Sequence, residues 1–290
     1  MGITLNMVLA SFGGGLFGAA IGGNFAFIFT GLLVLVGEAL AMSGSAGDIT
    51  NVVAFGMMFG PHIAFAGGAA ATAYAAKKER LEDGKNVGKP LIGISKNWDI
   101  LFIGGLFGVF GMTVNQLLGS IGAPTDTVAL TVFISAIVHR IMFGETGIFG
   151  TYNSDKGSSF WNPSAENAWL PSQTNFSQLL MIGLGVGLIG GYIGLKTTVF
   201  IPFGIAAVSL IVLQTMGEGP VTHHIAFPAA VAAVATGNII WGGIFGILGA
   251  FLGEFYARLC YVWGDTHIDP PAAAIATTVT AAIFFLGFSF

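Results

Sequence analysis

Ten apolar runs of about twenty residues, almost free of charge, leave this chain few ways to fold. They cover about 7–23, 25–42, 51–76, 98–121, 125–143, 178–195, 198–216, 221–238, 239–262 and 269–289. A helix needs about 20 apolar residues to cross a hydrocarbon core about 30 Å thick. In lipid the backbone must satisfy its own hydrogen bonds, so runs this long read as spanning helices. Composition agrees: 8% of the 290 residues are charged, against about a quarter in a soluble domain. A water-facing surface cannot be covered with so little charge. The expected fold class is an all-α polytopic membrane protein of about ten transmembrane helices. Residues 7–42 admit one alternative, a single long tilted helix, which would invert everything before the first loop. The first basic residue is Lys77, so no charged leader precedes the first run, and that run is expected to stay in the mature chain.

Charge is scarce but not scattered. The connection "KKERLEDGKNVGKPLIGISKN", Lys77 to Asn97, holds six of the ten Lys and Arg residues. Basic loops near helix ends mark the cytoplasmic side, which places 77–97 inside an inner (plasma) membrane. Counting spans from there puts both the N- and C-termini outside. Arg140, Lys156 and Arg258 then fall on the cytoplasmic side, and Lys196 lies outside. Arg140 and Arg258 are expected to snorkel, and His139 can pair with Glu145. One cysteine, Cys260, excludes an intrachain disulfide. No zinc-finger spacing, P-loop or nucleotide fingerprint is present. No cofactor and no nucleic-acid partner are expected.

The runs also repeat. "GGGLFGAAIG" (Gly13 to Gly22) matches "GVGLIGGYIG" (Gly185 to Gly194). "HIAFAGGAAATA" from His62 matches "HIAFPAAVAAVA" from His224, and "GGLFGVFG" (Gly104 to Gly111) matches "GGIFGILG" (Gly242 to Gly249). The three words keep their order, which divides the chain into repeat 1 (1–147), an aromatic connecting loop (148–176) and repeat 2 (177–290). Five spans per copy is an odd number, so successive copies must lie in opposite orientation. A 5+5 inverted repeat with broken helices near the midplane is an architecture of secondary transporters and channels.

Pro61 interrupts the third run and suits the first turn of a new helix, which predicts a short helix from about Pro61 to Ala76. His224 begins the corresponding helix after "GEGPVTHH". Each copy would thus bring a histidine and a helix N-terminus toward the centre from opposite sides. Exposed amides there suit an anion or polar solute, and neutral imidazole both donates and accepts. His62 and His224 are therefore the leading candidates for a solute or ion path, with His223 beside them. A soft-metal site from Met57, Met58, His62, His223 and His224 is a weaker reading.

Ionisable groups inside apolar runs usually face a cavity or a partner. Glu38, Glu218, Asn115 and Gln116 join the path on that ground, with interhelical hydrogen bonding as the plainer role. Asp126 and Asp269 begin the last span of each copy in "PTDTVAL" and "HIDPPAAA". N-capping is the favoured reading, and the inverted arrangement would set them in opposite vestibules. The chain thus reads as a transporter or channel for a small polar solute or ion, with the bilayer as its other partner and a homo-oligomer as the guess for its assembly. A non-transporting scaffold is the first alternative. An intramembrane enzyme using Ser43 or Ser45 is the second, and the duplicated histidine argues against it.

Overall fold

The computed structural model describes residues 2–96 and 98–290. It is all-helical apart from a two-stranded hairpin, β1 (Gly157–Ser159) and β2 (Asn162–Pro163). The first five helices are α1 (Leu5–Ile21), α2 (Gly23–Met42), α3 (Ala64–Lys77), α4 (Asp99–Ser120) and α5 (Thr127–Phe143). After a connecting segment come α6 (Phe176–Lys196), α7 (Phe200–Val208), α8 (Leu210–Met216), α9 (His223–Thr236), α10 (Ile239–Tyr256) and α11 (Pro270–Leu286). Among the described residues four helices are long and apolar enough to cross a membrane: Gly23–Met42, Asp99–Ser120, Phe176–Lys196 and Ile239–Tyr261. The others are shorter, where sequence alone suggested ten spans of similar length.

Three boundaries have a local cause, and the first of them agrees with the reading of 7–42 as two runs. Residues 7–42 form two helices, because Gly22 takes φ +94 between them, a conformation that suits glycine. The third run holds a π-helical turn, Thr50–Ala54, then irregular backbone, and α3 begins at Ala64, three residues after Pro61. The seventh run divides into α7 and α8 at Ser209, whose hydroxyl returns to the Ala206 carbonyl. The two helices that follow the histidine words, α3 and α9, have 14 residues each. At 1.5 Å per residue each is about 21 Å long, too short to cross a hydrocarbon core.

Glycine seams hold these helices together, and the seams correspond. In the first five helices α1 and α3 pack on α4; in the last six, α6 and α9 pack on α10. A Cβ at Gly15 would strike the Gly104 carbonyl, and one at Gly187 would strike that of Gly242. Gly18 abuts Ala64, and Gly190 abuts Ala226. Gly111 lies against the His62 carbonyl, and Gly249 against that of His224. Both carbonyls lack their usual helical donor. Pro228 has no amide to offer His224, and the Ala66 amide bonds Pro61 instead of His62. A glycine Cα at each oxygen permits a close C–H contact in its place.

The two sets of helices meet through two pairs, α2 with α7–α8 and α5 with α11. Asn24, near the start of α2, donates to Gln214 near the end of α8 at 2.6 Å. Glu38, near the end of α2, accepts from Thr198 just before α7 at 2.5 Å. Gly31 faces Gly204 and Ala207 between them. Thr125, just before α5, donates to Ala276 within α11 at 3.1 Å, while Ala136 further along α5 packs by Ile268 before α11. Both pairs therefore run antiparallel.

The outward faces are apolar. Leu9, Phe29, Leu106, Ile189, Ile244 and Phe285 are all exposed, Phe285 at 83%. Small residues and all five histidines lie inside. Arg140 is fully buried and does not snorkel. Its guanidinium donates to the Thr266 hydroxyl at 2.6 Å, to the Thr266 carbonyl, and to the carbonyls of Cys260 at 3.0 Å and Ile148 at 3.2 Å. His139 packs on the Phe107 ring, 6.2 Å between centroids, while the Glu145 amide bonds Asp265. In the basic connection Lys85 lies over the Tyr261 ring at 5.1 Å. Burial pulls its ammonium below the usual range, and Asp83 partly restores it.

Candidate functional site

Four helix N-termini converge on one cavity of about 410 Å³. Pro61 and Phe65 bring in the start of α3, and Val221, His223 and Phe227 that of α9. The starts of α5 and α11 contribute Asp126 and Asp269. Each of these aspartates caps its own helix, accepting from the Ala129 and Ala272 amides at 2.8 Å in both cases. Capping and cavity lining are thus compatible, because a cap carboxylate sits at the helix mouth. The two do not sit in opposite vestibules; both line the same space.

The walls are aromatic. Phe27 and Phe65 from one set of helices meet edge to face at 5.9 Å, and Phe200 and Phe227 from the other stack at 5.8 Å. Trp169 of the connecting segment closes one side. That segment is held by the Gln173 amide, which donates to the Val221 carbonyl at 3.0 Å and accepts from the Val221 amide at 3.1 Å. The first amides of α3 are already engaged, Ile63 and Ala64 both bonding the Gly60 carbonyl. That end of the site offers an anion little.

Two buried imidazoles face the cavity, His223 at 6% exposure and His267 at 7%. The Nε2 of His267 lies 3.2 Å from Asp269 Oδ1, and its Nδ1 has no hydrogen-bond partner. Nδ1 of His223 is likewise unpartnered, the ring lying 4.7 Å from Phe27. Asn24 and Asn51 add neutral polar groups, and among the described residues no Lys or Arg reaches the lining.

His62 and His224 lie outside this lining. His62 is buried with its ring against Gly60, and His224 has its ring against Gly253 and 5.9 Å from Trp169. Adjacent residues on a helix point about 100° apart, so His223 turns to the cavity where its neighbour turns to the α10 seam. Glu38 is buried and accepts from the Thr50 and Thr198 hydroxyls at 2.7 and 2.5 Å, away from the cavity. Glu218 is exposed, and Asn115 and Gln116 are half-buried on α4. Met58 is exposed, and the backbone carbonyls of Met57 and Met58 pack on Gly14. Among the described residues no group of three or more His, Cys, Asp or Glu side chains is placed to hold a metal ion. Ser43 and Ser45 bond each other at 3.1 Å at the exposed end of α2.

Sequence reasoning missed His267, Asn24, Asn51 and Trp169. His267 had a signal, since it stands two residues before a helix-capping aspartate in "HIDPPAAA". Trp169 had none, because the connecting segment carries no periodicity.

No curated protein and no solved structure matches the chain. One family does, and it matches twice, over residues 1–159 and again over residues 153–288. The chain therefore belongs to a family of unknown function, DUF7973.

Proposed function

We propose that this chain is an integral membrane transporter or channel, built from two copies of one unit in opposite orientation, that passes a small polar solute or ion through the central cavity. The observation that carries the reading is the cavity itself. One interrupted-helix start and one aspartate-capped start from each set of helices meet there. Ligand sites of inverted-repeat carriers lie at such a junction.

Several further observations support it. The exposed faces are apolar and the interior seams are glycine, as expected where lipid replaces water. Each cross-pair joins a helix to its own counterpart, α2 to α7–α8 and α5 to α11, and both run antiparallel. A twofold axis in the membrane plane would set counterpart helices antiparallel in this way. The family match falls twice on the chain, once per proposed copy. With 77–97 on the cytoplasmic side, the ends of α3 and α5 share that face, in keeping with the 2.7 Å bond from Lys77 Nζ to the Met142 carbonyl.

The experiment is flux into proteoliposomes of wild type and of Ala272→Trp, which fills the cavity beside Asp269. Small cations, anions and neutral solutes would be compared. Selective flux in wild type, lost in a folded Ala272→Trp protein, is expected. Equal flux in both would place the path elsewhere, and no flux of any solute would count against transport.

A further inference from the structure

We infer that the central cavity binds a small organic ammonium ion, which deepens the transport reading by naming the class of cargo. The four converging helix starts alone would favour an anion. The side chains reverse that sign. Both α5 and α11 present a carboxylate at the mouth, Asp126 and Asp269, and among the described residues no Lys or Arg lines the space beside them. The first amides of α3 are already bonded to the Gly60 carbonyl.

The imidazoles point the same way. In the neutral tautomer that donates Nε2–H to Asp269 Oδ1, 3.2 Å away, Nδ1 of His267 keeps its lone pair. That Nδ1 is buried, unpartnered and on a cavity-lining residue. It asks for a donor, and an ammonium or its hydroxyl substituent supplies one. The rings supply the remaining recognition. Pairs such as Phe27–Phe65 and Phe200–Phe227 offer π faces and edges on both sides of the space, with Trp169 across one end. Aromatic walls with carboxylates recognise alkylated ammonium ions, whose diffuse charge sits over ring faces. At about 410 Å³ the space suits a small molecule better than a bare inorganic ion.

The test uses three probes of one shape and different charge: choline, 3,3-dimethylbutan-1-ol and 3,3-dimethylbutyrate. Binding to the purified full-length protein in detergent is measured by calorimetry. Choline is expected to bind at least about tenfold more tightly than the alcohol, with the carboxylate weakest. Asp269→Asn and Asp126→Asn keep a capping side chain, and are expected to bring choline down to the affinity of the alcohol. Equal or tighter binding of the alcohol or the carboxylate overturns the inference, as does choline binding unchanged in both variants. Failure of wild type to bind choline at millimolar concentration overturns it too. If a variant does not fold, the charge series on wild type decides alone. Choline binding without vesicle flux would keep the inference and remove the transport reading. Flux of the carboxylate with choline ignored would do the reverse.

Discussion

The two sets of helices share a scaffold and differ in what they show the cavity. Their seams correspond glycine for glycine, Gly111 at His62 and Gly249 at His224. Their aspartate caps correspond as well, Asp126 and Asp269, with bonds of the same length. In the register of the His-Ile-Ala-Phe words His223 stands opposite Pro61, and in that of the cap aspartates His267 stands opposite Pro124. Both cavity-facing imidazoles thus come from one set, and prolines occupy their places in the other. A second difference is how the short helices are covered. Residues 50–59 run ahead of α3, with the Phe59 carbonyl bonded by Thr30 at 2.6 Å, whereas the start of α9 is covered by Trp169 and Gln173 from the connecting segment. Backbone contacts preserve the duplicated frame, because a glycine seam tolerates no added atom. The cavity face is free to diverge, and a lopsided site suits directional transport.

The seams give the largest test of that likeness. Gly111→Val and Gly249→Val should each cost about 3 kcal/mol or more through overpacking, seen as loss of monodisperse protein after extraction. Gly13 and Gly185, a matched pair with open space around both, should accept alanine unchanged or gain up to about 1 kcal/mol. A tolerated valine at one seam alone would break the correspondence. Arg140 comes next, since Ile283 stands at its place in α11. Arg140→Ile should cost about 2–4 kcal/mol, because several buried carbonyls lose a charged donor. Lysine should not rescue it, lacking the planar fork. Arg80→Ala, which removes a partly exposed pair with Asp99 at 2.8 Å, should stay within about 1 kcal/mol. Thermal melts in one detergent compare all three.

The histidines sharpen the comparison at the site. His223→Ala and His267→Ala should cut flux per folded molecule about tenfold or more, each removing one unpartnered ring nitrogen from the lining. His62→Ala and His224→Ala should change stability and leave flux within about twofold, since they empty the helix seams. The reverse ranking would return the path to the matched pair. The smallest effect belongs to the caps. Asp126→Asn and Asp269→Asn should shift stability by no more than about 0.5 kcal/mol, because asparagine caps as well as aspartate.

Much of this frame was legible in the sequence for identifiable reasons. The helix positions followed from apolar runs between polar connections, and the Gly22 break and the start of α9 lie within a few residues of the gap between the runs 7–23 and 25–42 and of the histidine word at His224. Asp126 and Asp269 were readable as caps because an acid before an apolar run has one common use. The facing of the histidines was not readable. His223 and His224 are neighbours, and only packing on α10 decides which of them turns to the seam. Matching His62 to His224 drew attention to the residues the scaffold shares, while the cavity-facing ones lie one position earlier, where the copies differ. The reach of Trp169 beneath α9 depends on a tertiary bond from Gln173 to Val221, which no local pattern announces.

The proposed opposed orientation of the two sets of helices is tested most directly by labelling from one side of the membrane. In a Cys260→Ser background, Ser45→Cys follows α2 and Glu218→Cys follows α8, at corresponding and exposed positions. A membrane-impermeant maleimide should reach the residue at 45 in intact cells and the residue at 218 only after permeabilisation. Labelling of both from the same side would contradict the inverted repeat, and with it the account of the cavity as a junction between opposed halves.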